Sequence, residues 1–261
     1  NTTNSMTVGY LNDVWSYNTS NGEWTWVSGN NFINPNGTYG TLGSTNASSK
    51  PGGRMNATSW KDSNGQFWLF GGLGYDATNT SAQLLNDLWK YNPSLNVWTW
   101  MKGSNNNNQG GQYGTQGISS PLCTPGARTR GISWVDPDNN LWVMGGEGYA
   151  AGTSTTGTLN DWWRYSVNTN DWLWLRGGNF IGAAGFYGTQ GVSASGNIVG
   201  SRRMGQGWID SSNNLWLLGG YGKGNSTTLG YLNDLWKFPD CLVNPVTLTI
   251  TSLDSLVCAG E

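Results

Sequence analysis

Tryptophan recurs in this chain with a fixed period, and the period restricts the possible folds more than any other feature. The chain of 261 residues contains 17 tryptophans. Pairs of the form Trp-x-Trp begin at Trp24, Trp98 and Trp172, in steps of 74 residues. Trp236 arrives one residue early, and only Trp162 lies outside the repeated pattern. A chain with such a period consists of copies of one structural unit, and each copy buries its aromatic side chains against its neighbours.

Each copy of the unit predicts four short β-strands, which we label a to d. In the copy at residues 54–103, the apolar run Phe67–Phe70 predicts a buried strand b, and the alternating residues Val97–Trp100 predict strand d. The Asn64-Gly65 dipeptide between strands a and b is typical of a tight hairpin turn, because it supplies residues with positive φ. No segment shows helical periodicity. Four short antiparallel strands in repeated units predict the blades of a β-propeller.

Three landmarks resemble the Kelch repeat: a diglycine after strand b, a strand c of the type Leu-Asn-Asp-Leu-Trp, and a Tyr seven residues before a Trp. The resemblance covers residues 10–238 and implies an all-β fold, a Kelch-type β-propeller of four-stranded antiparallel blades. The period of 74 residues departs from the roughly 50 residues of a Kelch unit, and the surplus lies mainly in the loop before strand a. The matching segments are Leu11–Trp15, Leu85–Trp89, Leu159–Trp163 and Leu232–Trp236 for strand c, and Tyr17/Trp24, Tyr91/Trp98 and Tyr165/Trp172 for the Tyr/Trp pairs.

The predicted strands divide the chain into a propeller region, residues 1–240, and a C-terminal region, residues 241–261. No strand d follows Trp236, and the incomplete count of units is below the four to eight blades of a typical ring. We therefore expect only part of the full ring here, with earlier blades upstream. Residues 241–261 resemble a linker and the start of an Ig-like module of a large secreted bacterial protein, with a disordered tail as the alternative. The predicted units are strands c and d of a partial blade at 10–27 and blades at about 54–101, 128–175 and 203–238.

Composition excludes several classes of partner. The formal net charge is −2 and charged residues make up 11% of the chain, so no basic stripe is present for nucleic acid. No run of 18 apolar residues exists, which argues against direct membrane insertion. The cysteines Cys123, Cys241 and Cys258 have no metal-binding spacing. They are either three thiols or one disulfide with one cysteine left over, and Cys241 has two possible partners.

The chain contains no histidine, and this restricts its chemistry. Nucleophile–histidine pairs and the usual copper, zinc and iron sites are excluded. Kelch-like enzymes of the galactose oxidase type hold copper partly through histidine, so that activity would need residues from upstream blades. We predict no catalytic residue, no metal and no cofactor. The oxygen-rich segment Asp136–Asn140 could suggest calcium, but its equivalents at Asp62 and Asp210 are typical of hairpin turns.

The loops predict where a ligand would bind. In an antiparallel blade the long b–c and d–a loops share one rim, and binding residues commonly lie on loops of a rigid scaffold. Residues that depart from the repeat are the candidates, because packing does not require them. These are Arg130, Glu147 and Trp162, for which local packing is the alternative interpretation. Convergence of Arg130 and Glu147 would form a polar pair.

We expect a non-enzymatic adhesion or recognition module that is extracellular or at the cell surface. Its predicted partners are a glycan or a surface protein, together with further modules of the same polypeptide. One alternative is a structural spacer or filament subunit of a large surface protein. The other is a propeller enzyme whose active-site residues lie in upstream blades.

Overall fold

The computed structural model describes residues 8–239, and this part of the chain is all-β. No helix occurs in it, and consequently none that is long and apolar enough to cross a lipid bilayer. The all-β prediction is confirmed. Cys241, Cys258 and the expected Ig-like module lie outside the described residues.

The described residues form two compact units. Unit 1 comprises residues 8–112, 124–130 and 148–155, and unit 2 comprises residues 113–123, 131–147 and 156–239. The strands in chain order are β1 (Val14–Asn18), β2 (Glu23–Ser28), β3 (Arg54–Met55), β4 (Thr58–Lys61), β5 (Phe67–Gly74), β6 (Gln83–Asn92), β7 (Val97–Lys102), β8 (Arg128–Thr129), β9 (Ile132–Val135), β10 (Leu141–Met144), β11 (Glu147–Gly148), β12 (Gly157–Thr158), β13 (Trp162–Ser166), β14 (Asp171–Arg176), β15 (Arg202–Arg203), β16 (Gln206–Ile209), β17 (Leu215–Lys223) and β18 (Leu229–Phe238).

The sheets follow the predicted order of strands a to d. In unit 1, β3 and β4 together form strand a, and both pair with β5, which pairs with β6, which pairs with β7. A separate hairpin, β1–β2, supplies one c–d pair. In unit 2, one sheet has the order β9-β10-β13-β14. A second sheet places β15 and β16 beside β17, which pairs with β18. All of these pairs are antiparallel.

A break in strand a faces the diglycine of strand b. Asn56 and Ala57 separate β3 from β4. Asn56 has a φ of 53°, and Gly71 and Gly72 have φ values of 62° and 99°. A Cβ atom on Gly71 would lie 2.7 Å from the carbonyl oxygen of Arg128, so only glycine fits this approach of two backbones. The ladder between β5 and β6 shifts register between Phe70 and Gly72, which makes the diglycine a β-bulge.

The tryptophan period arises from cross-strand pairs. Trp89 lies opposite Trp100 across strands c and d, and Tyr91 lies opposite Trp98. Each copy must therefore keep all of these aromatics in register. The equivalent opposed pairs across strands a and b are Trp60/Trp68, Trp134/Trp142 and Trp208/Trp216, and those across strands c and d are Trp15/Trp26 and Trp163/Trp174.

The aspartate of strand c is the centre of a buried hydrogen-bond cluster. Arg54 donates to both oxygens of Asp87, at 2.7 and 2.8 Å. The hydroxyl of Tyr39 and the indole Nε1 of Trp89 each donate to Oδ2 of Asp87 at 2.7 Å. The side chains of Arg54 and Asp87 are 5% and 0% exposed. A buried ion pair needs such additional hydrogen bonds to offset the loss of hydration.

The same arrangement recurs in unit 2. Asp234 accepts from Arg202 at 2.7 Å to each oxygen, from Tyr187 at 2.6 Å and from Trp236 at 2.7 Å. Burial opposes the ionisation of Asp234, but hydrogen bonds from Arg202, Tyr187 and Trp236 outweigh it and lower the pKa to about 2. Asp161 likewise accepts from a tyrosine and a tryptophan.

Another aspartate caps the turn between strands a and b. Oδ1 of Asp136 accepts from the backbone N–H of Asn140 at 2.8 Å, and Oδ2 accepts from Nε1 of Trp142 at 2.7 Å. Asp62 and Asp210 make the equivalent contacts. The oxygen-rich segment that could suggest calcium is therefore a hairpin turn whose carboxylate binds its own chain. The thiol of Cys123 is free and buried.

Replacement of Asp87 tests the buried cluster. Asp87→Asn removes the charge that Arg54 needs and leaves a buried guanidinium, so we expect the free energy of unfolding to fall by about 3–5 kcal/mol. Urea denaturation followed by tryptophan fluorescence measures this change. The control is Asp138→Asn, at an exposed position, which should shift stability by less than about 0.5 kcal/mol. Equal effects of the two variants would contradict the assignment.

A second prediction concerns the break in strand a. Met204, the equivalent of Asn56, has a φ of 61° and is 59% exposed. Asparagine tolerates this left-handed conformation better than methionine does. Met204→Asn should therefore raise the free energy of unfolding by about 1 kcal/mol. Met55→Asn is the control, because Met55 is also exposed but has an ordinary φ, and it should give no gain. A loss of stability in Met204→Asn would refute the argument.

Candidate functional site

The register of one sheet in unit 2 places three polar or aromatic side chains in a single row. Arg203 of β15 lies opposite Tyr221 of β17, and Tyr221 lies opposite Tyr231 of β18. Residues directly opposite each other on neighbouring strands point to the same face of a sheet. The three side chains are therefore neighbours on one face.

Their contacts make the row a defined surface. The guanidinium carbon of Arg203 lies 5.1 Å from the centroid of the Tyr221 ring, a cation–π distance. The rings of Tyr221 and Tyr231 meet edge to face, with centroids 5.3 Å apart and planes at 71°. Tyr231 is 92% exposed. Tyr221 is thus held between two neighbours, whereas the ring of Tyr231 is open to solvent.

An acidic side chain from the preceding repeat completes the cluster. Oε2 of Glu147 forms a salt bridge with Nη1 of Arg203. The two side chains are 34% and 22% exposed, so the pair is partly accessible to solvent. The Nε–H of Arg203 has no hydrogen-bond acceptor within residues 8–239. We call Glu147, Arg203, Tyr221 and Tyr231 the row cluster.

The row cluster lies at the end of the sheet that carries the b–c loop. Residues 224–228 connect β17 to β18, and Tyr221 and Tyr231 lie within three residues of this connection. The sequence predicts ligand binding at this rim. The structure therefore places one of the predicted residues, Glu147, in a polar and aromatic cluster at the predicted end of a sheet.

The same row has a different composition in the other repeats. In unit 1, Met55 lies opposite Leu73, and Leu73 lies opposite Leu84, so this row is apolar. In the intermediate copy, the equivalent positions are Thr129, Glu147 and Thr158. The backbone pairing in the two sheets is identical, so packing of the strands does not dictate which side chains occupy the row. Positions that a scaffold leaves free are suited to binding.

The structure places the other predicted residues elsewhere. The indole of Trp162 is 6% exposed and stacks between Trp134 and Phe238, with ring centroids 5.3 and 5.4 Å away. This contact is core packing of unit 2. Arg130, in unit 1, has a φ of 60°, and its backbone N–H donates to the carbonyl oxygen of Asn56 at 2.9 Å. Ligand binding by Arg130, Glu147 and Trp162 stays a prediction.

Three residues of the row cluster were not among the predicted site residues. Arg203 replaces Met55 and Thr129 of the other copies, and Tyr231 replaces Leu84 and Thr158. A comparison of the copies position by position along strand a and the start of strand c would have revealed these departures. Only the register between β15, β17 and β18 shows that they are adjacent.

Asp76 is a further residue that sequence reasoning missed. It replaces an alanine and a glycine of the other copies. Its buried carboxylate accepts from the backbone N–H groups of Thr78, Asn79 and Asn107, and thereby joins two long loops of unit 1. Burial acts to raise the pKa of Asp76, but the hydrogen bonds from Thr78, Asn79 and Asn107 outweigh burial and hold the pKa below its ordinary value. Asp76 therefore holds these two loops together.

The row cluster offers recognition chemistry. It presents one open aromatic face, a guanidinium, a carboxylate and phenolic hydroxyls. Within residues 8–239, no group of three His, Cys, Asp or Glu residues could hold a metal ion.

No protein-family model matches this chain, and no curated protein matches it. A functional assignment therefore depends on the side chains of the row cluster and on the sequence pattern.

Tyr231 is exposed and Trp162 is buried, so we expect their replacement to have different effects on the free energy of unfolding. Tyr231→Ser should change the free energy of unfolding by less than about 0.5 kcal/mol, because the ring is exposed. Trp162→Ala should reduce it by about 3–5 kcal/mol, because a buried ring is lost from the core. Urea denaturation of both variants measures these changes. A large loss in Tyr231→Ser would show that this residue has a packing role and does not belong to a free binding surface.

Proposed function

We propose that this protein is a non-enzymatic recognition module that binds glycans through the row cluster, in an extracellular or cell-surface setting. The observation that carries the proposal is the open ring of Tyr231 beside the Arg203–Glu147 pair. Exposed aromatic rings with a polar edge commonly contact ligands that present both apolar and hydroxyl surfaces. A sugar has this character, since its C–H groups form one apolar face and its hydroxyls both donate and accept hydrogen bonds.

The charges of the row cluster fit a neutral polar ligand. Arg203 can donate to ligand oxygens, and Glu147 can accept from ligand hydroxyls. Each residue already neutralises the other, so a ligand with no net charge adds hydrogen bonds without leaving an unpaired charge at the site. The neighbouring b–c loop, residues 224–228, is Gly224-Asn225-Ser226-Thr227-Thr228 and supplies further neutral polar groups.

We further propose that the sheets are blades of a Kelch-type β-propeller. The proposal is supported by the four-stranded order, the diglycine bulge and the repeated Leu-Asn-Asp motif. In such a fold the long loops of successive blades meet at one rim, so a ligand site there would be built from several repeats. A non-catalytic role is supported by the lack of histidine and by the use of Asp87 and Asp234 as buried ligands of arginine.

A glycan array with purified protein tests the proposed function. We expect saturable binding to at least one class of neutral glycan, and Tyr231→Ser and Arg203→Gln should each weaken it about tenfold, equivalent to 1.4 kcal/mol. Phe180→Ser, at another exposed aromatic residue of unit 2, is the control and should bind as the wild type does.

Two outcomes would overturn the glycan assignment. One is an array with no signal above background. The other is glycan binding that neither Tyr231→Ser nor Arg203→Gln changes. Capture of a glycan-free surface protein that depends on Tyr231 would keep the recognition role but would replace the ligand.

A further inference from the structure

The hairpin β1–β2 exposes a set of aromatic side chains that are buried in the next repeat. The exposed fractions are 51% for Trp15, 50% for Tyr17 and 65% for Trp24. Their equivalents are Trp89, Tyr91 and Trp98, which are 0%, 2% and 7% exposed. We call Asp13, Trp15, Tyr17, Trp24 and Trp26 the hairpin surface. So much exposed aromatic area is unusual for a surface without a partner.

The hairpin surface already has the geometry of the buried version. Trp15 lies opposite Trp26, as Trp89 lies opposite Trp100. The rings of Tyr17 and Trp24 have centroids 4.9 Å apart and planes at 42°, and the corresponding values for the buried pair in unit 1 are 4.9 Å and 40°. The surface is therefore formed before any partner binds, which lowers the entropic cost of binding.

The buried repeat shows what covers the equivalents of Trp15 and Trp26. Tyr39 belongs to the linker between β2 and β3. Its ring lies 4.9 Å from Trp89 and 5.1 Å from Trp100, and its hydroxyl donates to Asp87. Arg54, fifteen residues after Tyr39, donates to both oxygens of the same carboxylate. In unit 2, Tyr187 and Arg202 donate hydrogen bonds to Asp234 in the same way. A Tyr-Gly-Thr segment followed by an arginine is thus the partner of this motif.

Asp13 lacks these partners. It accepts one hydrogen bond within residues 8–239, from the indole Nε1 of Trp15 at 2.6 Å. The equivalent bond between Trp89 and Asp87 is 2.7 Å. The internal contact of the motif is therefore made. Within residues 8–239, the hairpin surface lacks the tyrosine hydroxyl, the guanidinium and the strand b that pairs with strand c in the buried repeat.

We propose that the hairpin surface is a docking site for a repeat linker, meaning a Tyr-Gly-Thr segment with an arginine fifteen residues after its tyrosine, supplied from outside residues 8–239. The tyrosine ring would cover Trp15 and Trp26 and donate to Asp13, and the arginine would pair with the same carboxylate. The proposal does not depend on the glycan site.

Neither the ends of this sequence nor a second copy can readily supply the linker. Residues 1–7 and 240–261 contain no tyrosine and no arginine. The three linkers within the chain are already engaged, because Tyr39, Tyr113 and Tyr187 donate to Asp87, Asp161 and Asp234. A second copy would have to break one of these buried contacts. The occupant is therefore a further linker with this chemistry.

A peptide with the sequence of residues 36–54, labelled with fluorescein, tests the proposal in solution. Added to the full chain, it should bind saturably in fluorescence anisotropy. Peptide variants equivalent to Tyr39→Phe and Arg54→Gln should bind about tenfold more weakly, because each loses a hydrogen bond to a charged group.

Matched variants of the protein locate the site. Asp13→Asn should weaken binding of the unaltered peptide about tenfold or more, through loss of the pair with its arginine. The control is Glu23→Gln, which removes an equal charge from the same hairpin at an exposed position outside the hairpin surface. It should leave the affinity unchanged.

A second measurement tests the proposal if the free peptide binds too weakly to be detected. The same peptide is joined to the N-terminus by a flexible Gly/Ser linker, which raises its effective concentration to about the millimolar range. Iodide quenching of tryptophan fluorescence should then fall, and Asp13→Asn should restore it. The proposal is overturned if neither arm shows a response, or if Asp13→Asn and Glu23→Gln act alike. It is also overturned if the unmodified chain self-associates and Asp13→Asn abolishes the association.

Discussion

A buried carboxylate joined to an arginine, a tyrosine and a tryptophan organises each repeat. In unit 1, Asp87 accepts from Arg54 of strand a, from Tyr39 of the preceding linker and from Trp89 of its own strand. These donors come from three different parts of the chain, so a single residue fixes the position of a sheet, a long loop and an aromatic core. Burial and the neighbouring carboxylate raise the pKa of Tyr39, which keeps its hydroxyl protonated as a donor. The cluster gains its stability from complete pairing, because any lost member would leave a buried polar group unsatisfied.

The aromatic pairs depend on this cluster. With the linker held by Asp87, the ring of Tyr39 covers Trp89 and Trp100, and the exposed indoles of the hairpin β1–β2 show the same pairs without the cover. The same arrangement explains the low content of charged residues and the high content of glycine in this chain. The diglycine bulge lets neighbouring backbones approach closely, and the loops remain polar without formal charge.

The sequence predicted much of the fold, because strands are encoded locally. The alternation around Trp98 and Trp100 and the turn at Asn64-Gly65 were sufficient to place strands and their order. The break at Asn56 was not predictable, since no local pattern marks its left-handed backbone and the diglycine that it faces lies on another strand.

The candidate site was less predictable, because it depends on contacts between segments that are distant in sequence. Glu147 departs visibly from the repeat, but its salt bridge with Arg203 requires the packing of consecutive repeats. Trp162 departs as visibly, yet it fills the core beside Trp134. A departure from the repeat therefore identifies candidates, and only the three-dimensional arrangement separates accessible side chains from buried ones.

The length of the b–c loop varies independently of the buried contact between arginine and aspartate. Arg54 and Asp87 are 33 residues apart in sequence, whereas Arg202 and Asp234 are 32 apart, and both pairs form the same 2.7 Å contact. The difference of one residue lies between strands b and c, and the contact between arginine and aspartate is kept. The connection between strands b and c therefore tolerates a change of one residue, and a library that varies residues 224–228 within that range of length should yield folded proteins.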